Sequence, residues 1–137
     1  MAIKQAYQDP ALPDFSNAFS WGLKLSDFEE VFFVTGQADC SPEFITEFPN
    51  DPVAQTRKIL AQMRNFLELA GFSMNDIVRT DWTFTNDVTS EQFAQIAQLW
   101  EEYLVDVKVK PATGTLRYVS RLGMPEMMVE YEMMLAR

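Results

Sequence analysis

Glu130 and Glu132 stand two residues apart inside an apolar stretch running from Met127 to Ala136. In a strand, residues two apart share a face. Both acids then point one way, while Val129, Tyr131, Met133 and Leu135 point into a core. A carboxylate held in a cleft can take a proton from a water attacking an electrophilic carbon; the same pair also fits a solvated strand face, the common place for acids. Arg117 falls with Thr113 and Thr115 on one face of a strand predicted from Ala112 to Ser120. Its guanidinium could fork onto a substrate carboxylate, or pair at the surface with one of the many acids. Thr35 and Gly36 end an apolar run, where glycine lets a ligand approach the backbone or simply ends the strand. Phe19 and Trp21 could floor a pocket for an apolar or aromatic substrate, or belong to the core. Cys40 has neither a His nor a basic cluster nearby to activate its thiol. The methionines at 124, 127, 128, 133 and 134 suit adaptable packing.

Several chemistries are excluded. The 137-residue chain contains no His, so Ser-His and Cys-His nucleophile pairs are absent. One Cys and no His leave no zinc set and no internal disulfide. No glycine-rich phosphate loop or EF-hand spacing occurs, and no metal or cofactor is expected. Eleven basic against twenty acidic residues give a net charge of −9, which disfavours nucleic acid and acidic membrane surfaces. No apolar run reaches the roughly 20 residues of a membrane span. The first residues lack the apolar segment of a signal peptide, and cytoplasmic residence is expected. The length suits one domain, residues 1–137.

The elements that must position these residues follow from periodicity. Residues 1–16, with Pro10 and Pro13, read as an extended lead-in. Alternation from Ala18 to Leu25 predicts a strand, Ser26-Asp27 a turn, and Glu30 to Thr35 a central strand, apolar on both faces. The two strands together predict a hairpin. Asp51 caps a helix with Pro52 at its first position and Gly71 at its end. Val53, Thr56, Leu60, Met63, Leu67 and Ala70 form its stripe, widened by Ile59 and Phe66. Asp76 to Thr85 alternates again. Thr89 with Gln92 opens a second helix through a capping box, with Phe93, Ile96, Ala97, Trp100 and Leu104 as its stripe. The order β-β-α-β-α-β-β predicts an α+β domain with both helices on one face of the sheet. The other face then calls for a partner subunit.

Three segments carry a family resemblance. Val31-Phe-Phe-Val-Thr-Gly-Gln37 resembles a strand ending in Ser-Gly-Gln. Ala54-Gln-Thr-Arg57 through Leu67-Glu-Leu-Ala-Gly71 to Asp76-Ile-Val-Arg-Thr80 resembles an A-Q-T-R helix followed by a D-I-V-K-T strand. Val129-Glu-Tyr-Glu132 resembles V-E-I-E. In this order they are similar to the RidA/YjgF family of reactive-intermediate deaminases, over roughly residues 17 to 136. The resemblance implies a chorismate-mutase-like α+β fold, a homotrimer with intersubunit clefts, and cofactor-free hydrolysis of enamines and imines. It implies that Glu130 positions water and that Thr35 and Gly36 face the cleft. Two positions depart from the pattern: Thr113 stands where the family's carboxylate-binding Arg is expected, and Phe19 replaces its Tyr. A substrate unlike 2-aminoacrylate-type imino acids is therefore expected, or a non-catalytic, ligand-binding or protective role. An endoribonuclease activity has also been attached to the family, and the net charge and missing His argue against it here.

Overall fold

The structure is a computed structural model describing residues 2–137. Its helices begin where the capping residues place them. Helix α1 spans Pro52–Leu69; Asp51 Oδ1 accepts from the Ala54 N–H at 3.0 Å, and Gly71, just past the end, takes a φ of 81°. Helix α2 spans Ser90–Tyr103. There the Thr89 hydroxyl accepts from the Gln92 N–H while the Gln92 side chain accepts from the Thr89 N–H. Ile59, Met63 and Leu67 of α1 and Ile96 and Trp100 of α2 are buried in one core.

In chain order the strands are β1 (Ile3–Tyr7), β2 (Gly22–Ser26), β3 (Val31–Gln37), β4 (Ile77–Thr85), β5 (Ala112–Thr113), β6 (Arg117–Val119) and β7 (Val129–Ala136). β7 lies between β3 and β4 and is antiparallel to both. β5 and β6 both pair in parallel with the far edge of β4. Val129, Tyr131, Met133 and Leu135 face the helices, as the alternation predicts. Glu130, Glu132 and Met134 face the opposite side. This is the α+β arrangement with two helices on one sheet face.

Three expectations change. Gly22–Ser26 does not form a hairpin with β3. It pairs with Ile3–Tyr7 as a separate two-stranded ribbon, so the lead-in is partly strand. After Asp27, at φ 53°, the Glu29 and Glu30 N–H groups donate to the Arg137 carbonyl, which captures the chain alongside β7 instead. β3 is also an edge strand, not a central one. Phe32 and Val34 turn inward, whereas Phe33 is 71% exposed; apolar residues on both faces here mean an apolar outer face. The strand predicted from Ala112 to Ser120 breaks into β5 and β6 around residues 114–116.

Polar contacts pin the connection between β3 and α1. The buried Asp39 carboxylate accepts from the Glu47 and Phe48 N–H groups and from Lys58 at 2.6 Å. The buried Gln55 side chain donates to the Phe48 and Glu126 carbonyls and accepts from the Met128 N–H. The start of β7 is thereby fixed against α1.

Candidate functional site

The register of β3 against β7 shifts between Val34 and Gln37, an irregularity in the strand at Thr35 and Gly36. Such bulges re-aim the backbone and recur beside active sites. Here it brings Gly36 under Glu130. A Cβ on Gly36 would come 2.9 Å from the Glu130 carboxyl carbon, so only glycine leaves that carboxylate its present position. Glu130 is half-buried and lies opposite Thr83 of β4. Thr83 lies opposite Arg117 of β6. Arg117, Thr83 and Glu130 thus form one row across three strands on the sheet face away from the helices. Two strand spacings put Arg117 roughly 9–10 Å from Glu130 in the backbone. The Arg117 guanidinium stands 3.9 Å from Glu132. The arrangement can hold a water at Glu130 and an anionic or polar group at Arg117.

Thr113 is not part of this row. It pairs with Thr80 of β4, whose side chain is buried toward the helices. The expected shared face of Thr113, Thr115 and Arg117 is lost because the strand breaks between them. Gly114 donates its N–H to the Thr80 carbonyl at 2.8 Å. Above it lies the Arg79–Asp81 pair, so close that a Cβ on Gly114 would fall 1.7 Å from Asp81 Oδ1. Thr115 is exposed in the break and belongs to neither location.

Thr113 instead lines a cavity of about 290 Å³ between α2 and the β4–β5 edge. Phe93, Ala97 and Trp100 wall it from α2, and Thr80 and Trp82 from β4. Phe15 and Phe19 close it, stacked with centroids 5.3 Å apart. This closing segment is strapped down by Trp100 Nε1 donating to the Ala18 carbonyl at 2.8 Å and by Ser20 Oγ donating to the Lys110 carbonyl at 2.7 Å. Phe19 therefore lines a pocket. Trp21 does not: it lies against Phe19 and donates Nε1 to the Pro13 carbonyl. Glu101 carries the only charge among the lining residues.

The candidate residues accordingly divide. Gly36, Arg117 and Glu130, with Thr35 beside Gly36, lie on the face away from the helices, Arg117 two strands from Glu130, and Phe19 and Thr113 lie on the helix side. Sequence reasoning missed Thr80, Trp82 and Ala97 as cavity residues, because each fits an ordinary core stripe. The available signal was small residues, Ala97 and Thr80, set among aromatic ones. Among the described residues no group of three or more His, Cys, Asp or Glu is placed to hold a metal ion, and no helix is long and apolar enough to cross a membrane.

Comparison with known proteins agrees with this architecture. The sequence profile described as Endoribonuclease L-PSP matches residues 11–136. RutC family proteins from Pyrococcus horikoshii and Pyrococcus abyssi are 29% and 30% identical over 114 residues, covering 83% of this chain and 82% of each relative. A conserved Rid protein family member of unknown function from Yersinia pestis, YyfB, superposes with a TM-score of 0.84 at 21% identity, covering 98% of both chains. The YjgF gene product of E. coli superposes at 0.64 with 25% identity and 87% coverage of both. The chain belongs to the RidA/YjgF family, the family of the Endoribonuclease L-PSP profile.

Proposed function

We propose that this protein is a cofactor-free hydrolase of an enamine or imine, acting in a cleft completed by a second subunit of a homotrimer. The observation that supports it most is the Glu130 carboxylate seated over Gly36 on the sheet face that carries no helix. In this reading Glu130 accepts a proton from the water that adds to the imine carbon, and ammonia leaves from the resulting carbinolamine. Arg117 holds the far end of the substrate. Its separation from Glu130 suits a molecule longer than a three-carbon imino acid, and Thr113 supplies no cationic fork. The test is ammonia release from freshly generated imines, aliphatic and aromatic. Glu130→Gln is expected to keep the assembly and to lower turnover by at least about 100-fold, the usual scale for a lost general base. Full activity in that variant would remove Glu130 from the chemistry.

A second reading, ligand binding without catalysis, is favoured by one feature: Phe19 and Thr113 line a pocket on the other side of the sheet from Glu130. Binding of an imine without ammonia release would select it.

A further inference from the structure

The connection between β3 and α1 carries an apolar ridge that the rest of the chain does not cover: Phe44 is 72% and Ile45 61% exposed. Hydrogen bonds hold this tip in one shape. The Ser41 N–H donates to the Ile45 carbonyl and the Phe44 N–H to the Ser41 carbonyl, both at 2.9 Å. The Ser41 hydroxyl accepts from the Glu43 and Ile45 N–H groups at 3.2 Å. Phe44 itself takes a φ of 63°, a left-handed backbone that is an outlier for a bulky side chain. Strain of this kind persists where the surroundings over-determine it, and it gathers at binding segments. Beside the ridge, Met124, Pro125 and Glu126 complete a groove of about 160 Å³ with Phe44, Ile45 and Thr46. The rim is acidic, since Glu43, Glu47 and Glu126 are all exposed. Lys58 is already bonded to Asp39 and Glu47, and Arg121 turns back onto the Leu122 carbonyl. Glu43 and Glu126 pair with no Lys or Arg among the described residues.

We propose that this ridge and groove dock a basic amphipathic helix of another protein. One aliphatic side chain of that helix enters the groove, and flanking Lys or Arg side chains meet Glu43, Glu47 and Glu126. The groove is well below the roughly 300–1,000 Å³ of small-molecule sites, so it holds a single side-chain anchor. Packing an apolar helix face against such a surface is a recurring mode of recognition, and the Met124 thioether adapts to the shape it meets. Charge decides against the other occupants. A second copy would set acidic rim against acidic rim on chains of net charge −9, and like charges facing each other suppress association. Its Lys58, Arg79, Arg117 and Arg137 are already committed to ion pairs. An acidic lipid surface is repelled on the same ground. The proposal does not depend on Glu130 or on hydrolysis.

A dye-labelled Leu/Lys peptide of about 14 residues, four helical turns with leucines along one face, tests it on the full-length protein by fluorescence anisotropy. A Leu/Glu peptide of the same pattern is the control. The Leu/Lys peptide is expected to saturate one site per chain and the Leu/Glu peptide to show no binding. Phe44→Asn installs a residue that tolerates left-handed backbone. It should weaken the peptide at least about tenfold, the mark of an interface anchor, with melting temperature unchanged or higher. Glu43→Lys with Glu126→Lys should weaken it by a similar factor. Glu68→Lys with Glu102→Lys makes the same charge change around one cavity at the far end of α1, roughly 25 Å away by helix rise. That pair should leave binding within about twofold, because salt screens charges at such a distance. The proposal is overturned by absence of saturable Leu/Lys binding or by equal weakening in the two charge pairs, which would mean net charge alone. A lower melting temperature in Phe44→Asn overturns it too, since the ring would then serve its own fold. So does a smaller assembly in that variant, which would make the ridge an interface between copies. Phe44-dependent binding to phosphatidylcholine vesicles would assign the ridge to a membrane surface instead.

Discussion

The hydroxyls of Thr56 and Tyr131 meet at 2.5 Å in the middle of the core, joining α1 to β7. Thr56 also donates to the Pro52 carbonyl at 2.8 Å. A threonine hydroxyl has one hydrogen to give, so Tyr131 is the donor of the pair. The two truncations should then be unequal. Tyr131→Phe removes a donor and leaves Thr56 bonded to Pro52, at a cost of about 1 kcal/mol. Thr56→Val strands a buried phenol, at a cost of about 1–3 kcal/mol. Urea unfolding of both variants checks this; a larger loss in Tyr131→Phe would reverse the donor assignment.

The same pair sets an alkaline limit. Burial pushes the Tyr131 phenol well above its ordinary value of 10.0, with the Thr56 hydrogen bond a smaller effect in the opposite direction. The unfolded chain then loses this proton at lower pH than the folded one. Above about pH 10 the unfolded state binds fewer protons, so stability falls as pH rises. Tyr103, pushed by burial to about 12, contributes in the same direction. Melting temperature should decline from about pH 10 upward, and less steeply in Tyr131→Phe. Equal slopes would mean that Tyr131 ionises alike in both states.

Asp39 behaves oppositely. Burial raises its carboxyl, but the Lys58 hydrogen bond and the Phe48 and Glu47 N–H groups outweigh this and hold it below its ordinary value of 3.8. Its contribution is present above that value and is lost as pH falls through the carboxylate range toward the lowered one. Asp39→Asn should flatten the acid limb of the stability profile. Lys58→Met leaves a buried carboxylate short of its counter-ion and should cost several kcal/mol, about 3–5 at most. Chemical denaturation at neutral pH measures it.

Gly36 and Gly114 predict contrasting outcomes for the same substitution. At Gly36 a Cβ meets the end of the Glu130 side chain, which can swing aside. Gly36→Ala should therefore keep stability within about 1 kcal/mol while displacing the carboxylate and lowering any Glu130-dependent turnover. At Gly114 the Cβ overlaps the carboxylate of Asp81, a shorter side chain than Glu130 and one held by Arg79 at 3.1 Å. Gly114→Ala should destabilise, with partial rescue by Asp81→Ala. Equal melting temperatures for the two glycine variants would contradict the packing described.

Arg117 and Thr113 separate two routes for a carboxylate substrate. Thr113 is exposed at the rim of the apolar cavity, so Thr113→Arg should fold normally. Turnover of 2-iminopropionate by the wild type should be low, with further loss in Arg117→Ala; residue 113 lies on the other side of the sheet from Glu130 of its own chain, so a gain in Thr113→Arg would place it in the cleft of a neighbouring subunit. Steady-state ammonia release distinguishes these cases. High wild-type turnover unaffected by Arg117→Ala would remove Arg117 from substrate binding.

The helices were legible in the sequence because their signals are local. Asp51 with Pro52 and Thr89 with Gln92 act within one turn, and the inner stripes repeat every three to four residues. The face assignments of β4 and β7 were legible for the same reason, since alternation fixes sides. Strand pairing was not. Gly22–Ser26 takes Ile3–Tyr7 as its partner, and the chain that follows is tied by Glu29 and Glu30 to Arg137, more than a hundred residues away. The split of the candidate site has a comparable origin. Period-two counting carries a side from Thr113 to Arg117 only if the strand is continuous, and residues 114–116 interrupt it where the Arg79–Asp81 pair crosses Gly114.

The exposed outer edge of β3 bears on handling as well as on assembly. Val31-Phe-Phe-Val-Thr-Gly-Gln37 is uncharged, free of proline and rich in β-formers, and among the described residues no strand pairs with its outer edge. Segments of this composition template cross-β stacking when two copies meet edge to edge. Phe33 on this strand is already 71% exposed in the folded chain, so the run is presented before the rest of the chain unfolds. Thermal inactivation should then be governed by protein concentration and scan rate, and a charge placed at Phe33 should raise resistance to fibril formation.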